Sequence, residues 1–371
     1  MQPPEASPSR LHRVAVIGTG LIGTSIALAA RRAGSDVVGW DVDGRVLEKA
    51  AGSGALTRAP SLQAATADAE LVVVATPIRA VPAAVVAALD AAPRAIVTDV
   101  ASVKTRVIED VRAKAPAEAL ARFVPGHPMG GSERSGPEHA SASVVDGIVW
   151  VLAPARETVA TATDTLRVWV EGVGARAVVM DPERHDRLVA VVSHLPQVAS
   201  TTLMGTAGGE EAGEQDALLL AAGGFRDLTR LAASHPALWS EILIANREEV
   251  AAAIDVFVRR LEALRDRIAD ADAAGVESTF AAAKQARLGL AAKPTVRAGV
   301  AVWQVEIPDE PGALARITAV LGAGGVNIED LQIVHSPEGG RGTVHLTVAA
   351  ESAGSAADVL STGGYDPTRL A

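Results

Sequence analysis

The sequence contains no cysteine, few aromatic residues and no excess of positive charge among its 371 residues. Without cysteine, the chain cannot form disulfides, thiolate metal sites or a cysteine nucleophile. Because 34 lysines and arginines stand against 44 aspartates and glutamates, the net charge is -10, and nucleic acid finds no broad basic surface. No uninterrupted apolar run reaches the roughly 18 residues expected of a transmembrane helix. These absences predict a soluble chain that binds neither nucleic acid nor a membrane.

The length is sufficient for two or three domains with a large buried core. Residues 1–10 are rich in proline and serine and lack the apolar core of a secretory signal, so we expect a flexible tail and a cytoplasmic protein. What the sequence does contain is a series of glycine, histidine and arginine motifs, and these indicate its chemistry.

The first motif lies near the start of the chain. The β-branched run Val14–Ile17 is followed by GTGLIG at residues 18–23 and by helix formers as far as Arg32. This order predicts a strand, a glycine turn and a helix whose N-terminus binds the pyrophosphate of a dinucleotide. A second strand, residues 36–40, ends at an acidic residue, at the distance where one contacts the adenosine ribose. The predicted cofactor contacts of this unit are Gly18, Gly20, Leu21, Ile22, Gly23 and Asp41.

The acidic residue also indicates which cofactor is bound. The carboxylate of Asp41 can accept hydrogen bonds from both ribose hydroxyls and repels a 2′-phosphate, and Asp43 adds to that repulsion. Arg45 is the one residue nearby that favours the phosphate instead. The simpler alternative is that the glycines only turn the chain, but strand, helix and acidic residue together favour NAD over NADP.

Two further apolar runs, residues 70–75 and 95–98, predict buried strands of a parallel sheet covered on both faces. They end at Thr76 and Asp99, and ligands of such sheets lie beyond the carboxyl ends of the strands. We therefore expect Thr76 and Asp99 to lie near the cofactor, in a crevice that also receives the loop of His127.

His127 lies in the sequence VPGHPMGG at residues 124–131, just past the nucleotide-binding pattern. An imidazole with a pKa near 6.5 is suited to abstract a proton from an alcohol, so His127 is the predicted catalytic base. Turnover should then decline as the pH falls through that pKa. Ser102 lies in the same crevice at the start of a helix, where its hydroxyl either caps the helix or orients His127 and the substrate.

The pattern changes after Gly174. Residues 181–292 contain many helix formers and no strand-like alternation, which predicts an all-helical domain. His194 lies there in the sequence SHLPQ, and Arg226 lies in GGFRDLTR. Taken alone, a core histidine and a surface ion pair of Arg226 with Asp227 are the simpler interpretations. An arginine that follows two glycines is also well placed to bind a carboxylate through two parallel hydrogen bonds.

Five motifs follow one another along the chain, namely GxGxxG at 18–23, DxxSxK at 99–104, HPMGG at 127–131, SHLP at 193–196 and GFRD at 224–227. Each is common by itself, but the five in this order are specific. Through them, residues 11–292 resemble the prephenate dehydrogenase family of tyrosine biosynthesis. The resemblance implies catalytic roles for His127 and Ser102, substrate contacts for His194 and Arg226, and a gating role for Glu133.

The reaction that the resemblance implies suits these residues. Prephenate is a cyclohexadienol with two carboxylates, so its oxidation requires a base at the hydroxyl, an adjacent NAD and cationic anchors. As His127 removes the hydroxyl proton, hydride moves to the nicotinamide and the ring carboxylate leaves as carbon dioxide, which gives 4-hydroxyphenylpyruvate. Arg226 would orient the substrate without reacting, and no metal is required.

Beyond a linker predicted at residues 293–299, strand-like character resumes in residues 300–371. The order strand, helix, strand, strand, helix resembles an ACT domain, with its second strand predicted to begin at residues 325–328 and its last strand short. The resemblance implies binding of an amino-acid effector, for which tyrosine is the natural candidate, and the sequence also fits a small domain that only dimerises. The predicted effector contacts are Pro311, Gly312, Asn327 and Ile328.

The predicted fold class is therefore α/β, with three parts. A Rossmann-type doubly wound parallel sheet at residues 11–180 is followed by an all-helical substrate and dimerisation domain at 181–292 and a small α+β ACT-like domain at 300–371. The leading function is an NAD-dependent prephenate dehydrogenase that acts as a homodimer. Arogenate dehydrogenase, whose substrate differs by an amino group, is the near alternative. A 3-hydroxyacid or imine reductase, and a non-catalytic regulator that binds NAD and an amino acid, are more distant ones.

Overall fold

A computed structural model of the protein describes residues 11–130, 136–208, 217–288, 300–308, 310–335 and 341–370. The chain divides into two compact units, the first formed by residues 1–205 with 229–256 and the second by residues 206–228 with 257–371. The predicted tail at 1–10, the predicted linker at 293–299 and Glu133 lie outside the described residues. The three domain boundaries drawn from the sequence stay predictions.

The strands are β1 (Arg13–Ile17), β2 (Asp36–Trp40), β3 (Thr57–Arg58), β4 (Leu71–Val74), β5 (Ile96–Asp99), β6 (Gly126–Pro128), β7 (Val149–Leu152), β8 (Arg176–Val179), β9 (Val300–Pro308), β10 (Asp330–His335), β11 (Arg341–Ala349) and β12 (Thr368–Arg369). The α-helices are α1 (Leu21–Arg32), α2 (Gly44–Gly52), α3 (Leu62–Thr66), α4 (Val81–Ala91), α5 (Thr105–Arg112), α6 (Ala117–Leu120), α7 (Ala160–Gly172), α8 (Pro182–Val189), α9 (Leu195–Gly208), α10 (Gly223–Thr229), α11 (Pro236–Ala245), α12 (Arg247–Ala269), α13 (Ala273–Leu288), α14 (Ala313–Ala323) and α15 (Ala353–Thr362). A π-helical turn, Ala190–His194, joins α8 to α9.

The first unit contains a parallel five-stranded sheet in the order β3-β2-β1-β4-β5. The central strand β1 pairs with β2 on one side and with β4 on the other. All four residues of β4 are buried, because helices cover both faces of the sheet and leave no side for polar side chains. The run from β1 through α1 to β2 is the predicted βαβ unit, so the predicted Rossmann-type sheet is confirmed.

A three-stranded sheet in the order β6-β7-β8 belongs to the same unit. Trp150 of β7 is fully buried and packs edge-on against Trp169 of α7, with ring centroids 6.1 Å apart. A bridge between Val97 and Phe123 joins the segment before β6 to β5. The small sheet therefore holds β6, which carries His127, beside the carboxyl end of β5.

The described parts of residues 181–288 form helices, as the sequence predicts. Within them, the continuous helical stretch Pro182–Gly208 is long and apolar enough, by length and composition alone, to cross a membrane. Its Asp186 is buried, however, and accepts hydrogen bonds from the backbone amides of Lys104 and Thr105. These bonds fix the start of the stretch to the nucleotide-binding fold.

The second unit contains a four-stranded antiparallel sheet in the order β10-β11-β9-β12, and α14 and α15 pack with it around an apolar core. The element order is the predicted one, and the last strand, β12, is only two residues long. The predicted start of the second strand at residues 325–328 is wrong, since β10 begins at Asp330. Gly325 has φ +73°, and the amide of Val326 donates to the carbonyl of Leu321, so these residues end α14 instead.

Candidate active site

The glycine turn after β1 has the shape that a dinucleotide requires. Gly18 has φ +91°, and a Cβ there would lie 2.6 Å from the carbonyl oxygen of Ala75. A Cβ at Gly23 would lie 2.0 Å from the carbonyl oxygen of Gly18, so only glycine lets α1 pack this closely. A Cβ at Gly20 would meet nothing within 4 Å. The turn is therefore tight on its protein side and open beside Gly20, where a pyrophosphate would fit.

The N-terminus of α1 suits an anion. No side chain caps it at Gly20, and its first turn contains no acidic residue, so the amide groups and the positive end of the helix dipole are available to a phosphate. Leu21 is buried and Ile22 packs against the core, so both would offer backbone amides only. Thr76, just beyond β4, has a buried hydroxyl with no hydrogen-bond partner among the described residues. These features fit a dinucleotide.

The acidic residue after β2 is held in place by backbone amides. Asp41 accepts hydrogen bonds from the amide of Thr19 at 2.6 Å and from the amide of Asp43 at 2.9 Å. Arg45, the residue that favours a 2′-phosphate, pairs with Asp43 at 3.3 Å, and this hydrogen bond lowers the pKa of Asp43. Because the guanidinium is already paired with a carboxylate, the structure supports NAD over NADP at this position.

A buried ion pair fixes the strand that carries His127. Lys104 Nζ lies 2.5 Å from Asp99 Oδ2 and 2.5 Å from the carbonyl oxygen of Gly126, and neither charged side chain is exposed. The amide of Gly126 donates to Asp99 Oδ1 at 3.3 Å. The sequence predicts Asp99 beside the cofactor, but its carboxylate is fully buried and occupied by these bonds. We therefore assign Asp99 to the framework under His127.

His127 is the middle residue of β6 and takes part in a chain of three side chains. Its Nδ1 lies 2.8 Å from Nε2 of His185, and Nδ1 of His185 lies 2.8 Å from Oδ1 of Asp186. The two imidazole rings meet edge to face, with an interplanar angle of 79°. His185 and Asp186 are both buried, whereas His127 is half-buried. Of these three hydrogen-bonded side chains, the His127 ring is thus the one within reach of a substrate.

Asp186 also determines how α5 begins. The sequence offers Ser102 as an N-cap, but the N-cap residue of α5 is Lys104, and no side chain of its own segment caps it. Instead, Asp186 accepts the amides of Lys104 at 2.9 Å and Thr105 at 2.8 Å. The capping interpretation of Ser102 is therefore wrong. Ser102 lies half-buried between Asp99 and Lys104, which leaves its interaction with His127 or substrate as the surviving prediction.

His194, predicted to contact substrate, is buried at the end of the π-helical turn. Its Nδ1 lies 3.2 Å from Nδ2 of Asn246, and the same amide nitrogen lies 2.9 Å from the backbone oxygen of Asp186. Trp239 packs edge-on against the His194 ring at a centroid distance of 6.2 Å. Asp186 is therefore linked to both histidines, to His127 through its side chain and to His194 through its backbone.

Burial favours the neutral form of both histidines. It lowers the pKa of His127 well below the usual 6.5, and the nearby His185, Lys104 and His194 lower that pKa further. It also lowers the pKa of His194 to about 4, against the opposing effect of Asp186. The lowered pKa of His127 moves the expected loss of turnover from near pH 6.5 to a lower pH.

Two other predicted substrate contacts are not joined to this network by the described residues. Arg226 lies exposed on α10, and Glu133 lies outside the described residues. Their roles stay predictions.

In the second unit, Pro311 and Gly312 line a pocket together with Glu310, Leu314 and Ile333. Gly312 is the N-cap of α14 with φ +89°. The other two predicted effector contacts do not line this pocket: the Asn327 side chain is exposed and donates to Glu329 at 2.8 Å, and Ile328 packs against the core. Of the four predicted effector contacts, Pro311 and Gly312 therefore line the pocket, whereas Asn327 and Ile328 lie outside it.

Sequence reasoning missed the most connected residues of the site, His185, Asp186 and Asn246. On a regular α-helix, the nine positions from His185 to His194 turn through about 900°, which places the two side chains on opposite faces. The π-helical turn inserts one extra residue, so the angle between them falls to about 80°. Pro196, which has no amide hydrogen to complete an α-helical bond, is the one signal of that turn in the sequence.

A parallel dinucleotide-binding sheet with a neutral, oriented histidine beside the carboxyl ends of its strands is typical of NAD-dependent dehydrogenases. Comparison with protein families identifies the particular one. Residues 26–179 match the model of the prephenate dehydrogenase nucleotide-binding domain, and residues 181–282 match that of the prephenate dehydrogenase dimerization domain. The chain belongs to the prephenate dehydrogenase family, as the sequence motifs predict.

Individual relatives agree with this assignment. The chain is 31% identical to the prephenate dehydrogenase of Bacillus subtilis, over 91% of this chain and 92% of that protein. It is 32% identical to the cyclohexadienyl dehydrogenase of Zymomonas mobilis, over 76% of this chain and 98% of that protein. The match to the Bacillus protein is long enough that it necessarily extends into residues 300–371.

Solved structures show the same fold. The prephenate dehydrogenase of Aquifex aeolicus, solved with hydroxyphenyl propionate and NAD+, superposes with a TM-score of 0.70 at 27% identity, covering 76% of this chain and 100% of that one. The arogenate dehydrogenase of Synechocystis superposes with a TM-score of 0.66 at 28% identity, covering 74% of this chain and 98% of that one. The predicted fold class is confirmed.

Proposed function

We propose that the protein is an NAD-dependent prephenate dehydrogenase whose catalytic base is His127. The observation that carries the proposal is the position of His127, which β6 holds beside the carboxyl end of β5 and whose Nδ1 contacts His185; burial also lowers the pKa of this ring. A neutral imidazole within reach of a bound alcohol is the group that such an oxidation requires.

The cofactor would be held by the turn and helix that follow β1. The open space beside Gly20 admits a pyrophosphate, the first amides of α1 bind it, and Asp41 accepts the ribose hydroxyls. Bound NAD supplies the acceptor for the hydride. Thr76, whose hydroxyl has no partner among the described residues, would bind the cofactor at the end of β4.

The remaining side chains act on the substrate. His127 accepts the hydroxyl proton of prephenate as hydride leaves the carbinol carbon, the ring carboxylate departs as carbon dioxide, and the product is 4-hydroxyphenylpyruvate. Ser102 supports His127, while His194 and Arg226 bind substrate, Arg226 through a carboxylate. Glu133 gates the pocket. These roles rest on the family resemblance and on the placement of His127, Ser102 and His194 in one unit.

Arogenate oxidation is the second candidate. It is supported by the likeness to the Synechocystis arogenate dehydrogenase and to the Zymomonas cyclohexadienyl dehydrogenase. Arogenate carries an ammonium group in place of the side-chain keto oxygen of prephenate, so its recognition needs a hydrogen-bond acceptor where prephenate needs a donor. A neutral His194 whose Nδ1 is already occupied by Asn246 provides a donor, which favours prephenate.

We also propose a cytoplasmic homodimer. The match of residues 181–282 to the family's dimerization domain supports it, and so do several large apolar side chains that are exposed on these helices of the single chain. Examples are Val191, Val192, Leu203, Ile244 and Phe280. Burying them against a second copy would remove apolar surface from water.

The C-terminal sheet would bind tyrosine as a feedback effector. The pocket lined by Pro311, Gly312 and Leu314 combines apolar walls with the N-terminus of α14, which suits the side chain and carboxylate of an amino acid. Equilibrium dialysis against tyrosine, together with activity measured at the same concentrations, tests this part. Absence of binding with unaltered activity would leave the domain a structural one.

The function itself is tested by following NADH formation by the full-length protein. Prephenate and arogenate are offered separately, each with NAD and with NADP, and each with and without tyrosine. Rapid reduction of NAD with prephenate is the expected result. A preference for arogenate would identify the protein as an arogenate dehydrogenase instead. If neither substrate led to reduction of the cofactor, the proposal would be overturned.

A further inference from the structure

We infer that the protein holds its two site histidines in opposite tautomers: His127 carries its proton on Nδ1 and accepts at Nε2, while His194 carries its proton on Nε2 and donates there. His185 and Asn246 are the positioning residues that impose this arrangement. The catalytic meaning of the inference rests on the proposed function, but the proton positions are properties of the folded protein alone.

The tautomer of His127 depends on the ionised carboxylate of Asp186. Burial opposes ionisation of this carboxyl, but the hydrogen bond from His185 and those from Thr105 and Lys104 outweigh it and lower its pKa. An ionised carboxylate only accepts hydrogen bonds, so the His185 nitrogen 2.8 Å away, Nδ1, must donate. The other nitrogen of a neutral His185 then accepts.

That acceptor is Nε2 of His185, and it lies 2.8 Å from Nδ1 of His127. His127 must therefore donate through Nδ1, and because its ring is neutral, its Nε2 has no proton and presents a lone pair. A doubly protonated His185 would reverse this bond. It would also place a buried cation against the His127 ring, next to Gly126, whose carbonyl oxygen already bonds the Lys104 ammonium.

The tautomer of His194 depends on the backbone carbonyl of Asp186. The oxygen of Asp186 can only accept, so the Asn246 atom 2.9 Å from it is the amide nitrogen. The second hydrogen of that amide is directed to Nδ1 of His194 at 3.2 Å, which makes Nδ1 an acceptor. With its pKa lowered to about 4, His194 is neutral, and its one proton lies on Nε2.

The two histidines are thereby given complementary tasks. His127 is ready to take a proton from a hydroxyl at Nε2, and the positive charge that it acquires is offset through His185 by the carboxylate of Asp186. His194 is ready to donate to a keto or carboxylate oxygen. Asp186 supports both tautomers: its side chain acts on His127 through His185, and its backbone oxygen acts on His194 through Asn246.

Nuclear magnetic resonance of the full-length protein labelled with 15N-histidine tests the tautomers directly, without any substrate. Long-range 1H–15N correlations distinguish a protonated nitrogen from a bare one, and His127→Gln and His194→Gln assign the two signals among the eight histidines. We expect His127 with bare Nε2 and His194 with bare Nδ1. In Asn246→Ala, His194 should populate both tautomers while His127 keeps its own. A proton on Nε2 of His127, or on Nδ1 of His194, would overturn the inference.

A pair of His185 variants tests the positioning role. His185→Gln keeps an acceptor oxygen near the position of Nε2, so kcat should fall by less than about tenfold, whereas His185→Leu removes the acceptor and should lower kcat by about 10²-fold. The KM for NAD should be unaltered in both, and His12→Gln, at an exposed histidine, is the control. Equal losses in the two variants would contradict a positioning role. If the wild type does not oxidise prephenate yet shows the expected tautomers, the proposed function fails and this inference stands.

Discussion

Removing the charge of Lys104 should destabilise the first unit more than removal of any surface lysine. Its ammonium is fully buried between the carboxylate of Asp99 and the carbonyl oxygen of Gly126. In Lys104→Met the side-chain volume is nearly kept, but Asp99 is left as a buried charge with backbone amides as its partners. Breaking a buried pair by removing one partner costs about 3–5 kcal/mol.

Thermal unfolding followed by tryptophan fluorescence measures this loss. For a unit of about 150–250 residues, 1 kcal/mol corresponds to about 2–4 °C, so the Tm should fall by about 6–20 °C. The matched control is Lys49→Met, because Lys49 pairs with Glu138 at 3.5 Å on the surface and should shift the Tm by no more than about 2 °C.

A double variant separates the ion pair from simple packing. Asp99→Asn with Lys104→Met removes both charges, so it should lose less stability than the sum of the two single variants. Two results would contradict the role of the buried pair in holding β6 in place. One is a Tm of Lys104→Met equal to that of Lys49→Met, and the other is a stability loss in the double variant equal to the sum of the losses in Asp99→Asn and Lys104→Met.

Three other predictions concern the site. Burial, together with His185 and Lys104, lowers the pKa of His127, and only the neutral ring accepts a proton. In a series of assays at different pH, kcat/KM should therefore stay constant as the pH falls through 6.5 and decline only well below it. A decline centred at pH 6.5 or above would contradict this. Asp41→Ala should raise the Kd for NAD by about 10- to 100-fold in calorimetric titration, since about 1.5–3 kcal/mol of charge-assisted hydrogen bonding is lost, and an unaltered Kd would remove Asp41 from the cofactor site. Gly126→Ala should lower the free energy of unfolding by about 1–3 kcal/mol and reduce turnover, because the added Cβ would lie 2.8 Å from Trp150 Nε1. Gly44→Ala is the control, since a Cβ there would meet nothing within 4 Å. Equal melting temperatures of the two variants would contradict this prediction.

The nucleotide-binding half could be predicted from sequence because its signals are local. The glycine turn at residues 18–23, the helix after it and Asp41 after β2 lie within about one βαβ unit, so their spacing alone specifies their geometry. His127 was predictable for the same reason, as a histidine in a short motif just past that fold.

The support behind His127 could not be predicted, because it comes from far along the chain. Asp186 caps α5 across 81 and 82 residues, and nothing near Ser102 indicates that the cap is supplied by another helix. His185 and His194 share a site only because of the π-helical turn, which a regular helical pattern conceals. Asp99 ends a strand as cofactor-binding residues do, and only the structure shows its carboxylate paired with Lys104.

The steady-state kinetics of His127→Asn, measured together with the affinity of this variant for NAD, decide whether His127 is the base of an NAD-dependent oxidation of prephenate. We expect kcat to fall by about 10²–10⁴-fold while NAD binds as in the wild type, because the proposed role places His127 at the substrate hydroxyl and away from the cofactor turn. Turnover equal to that of the wild type would show that His127 is not the base.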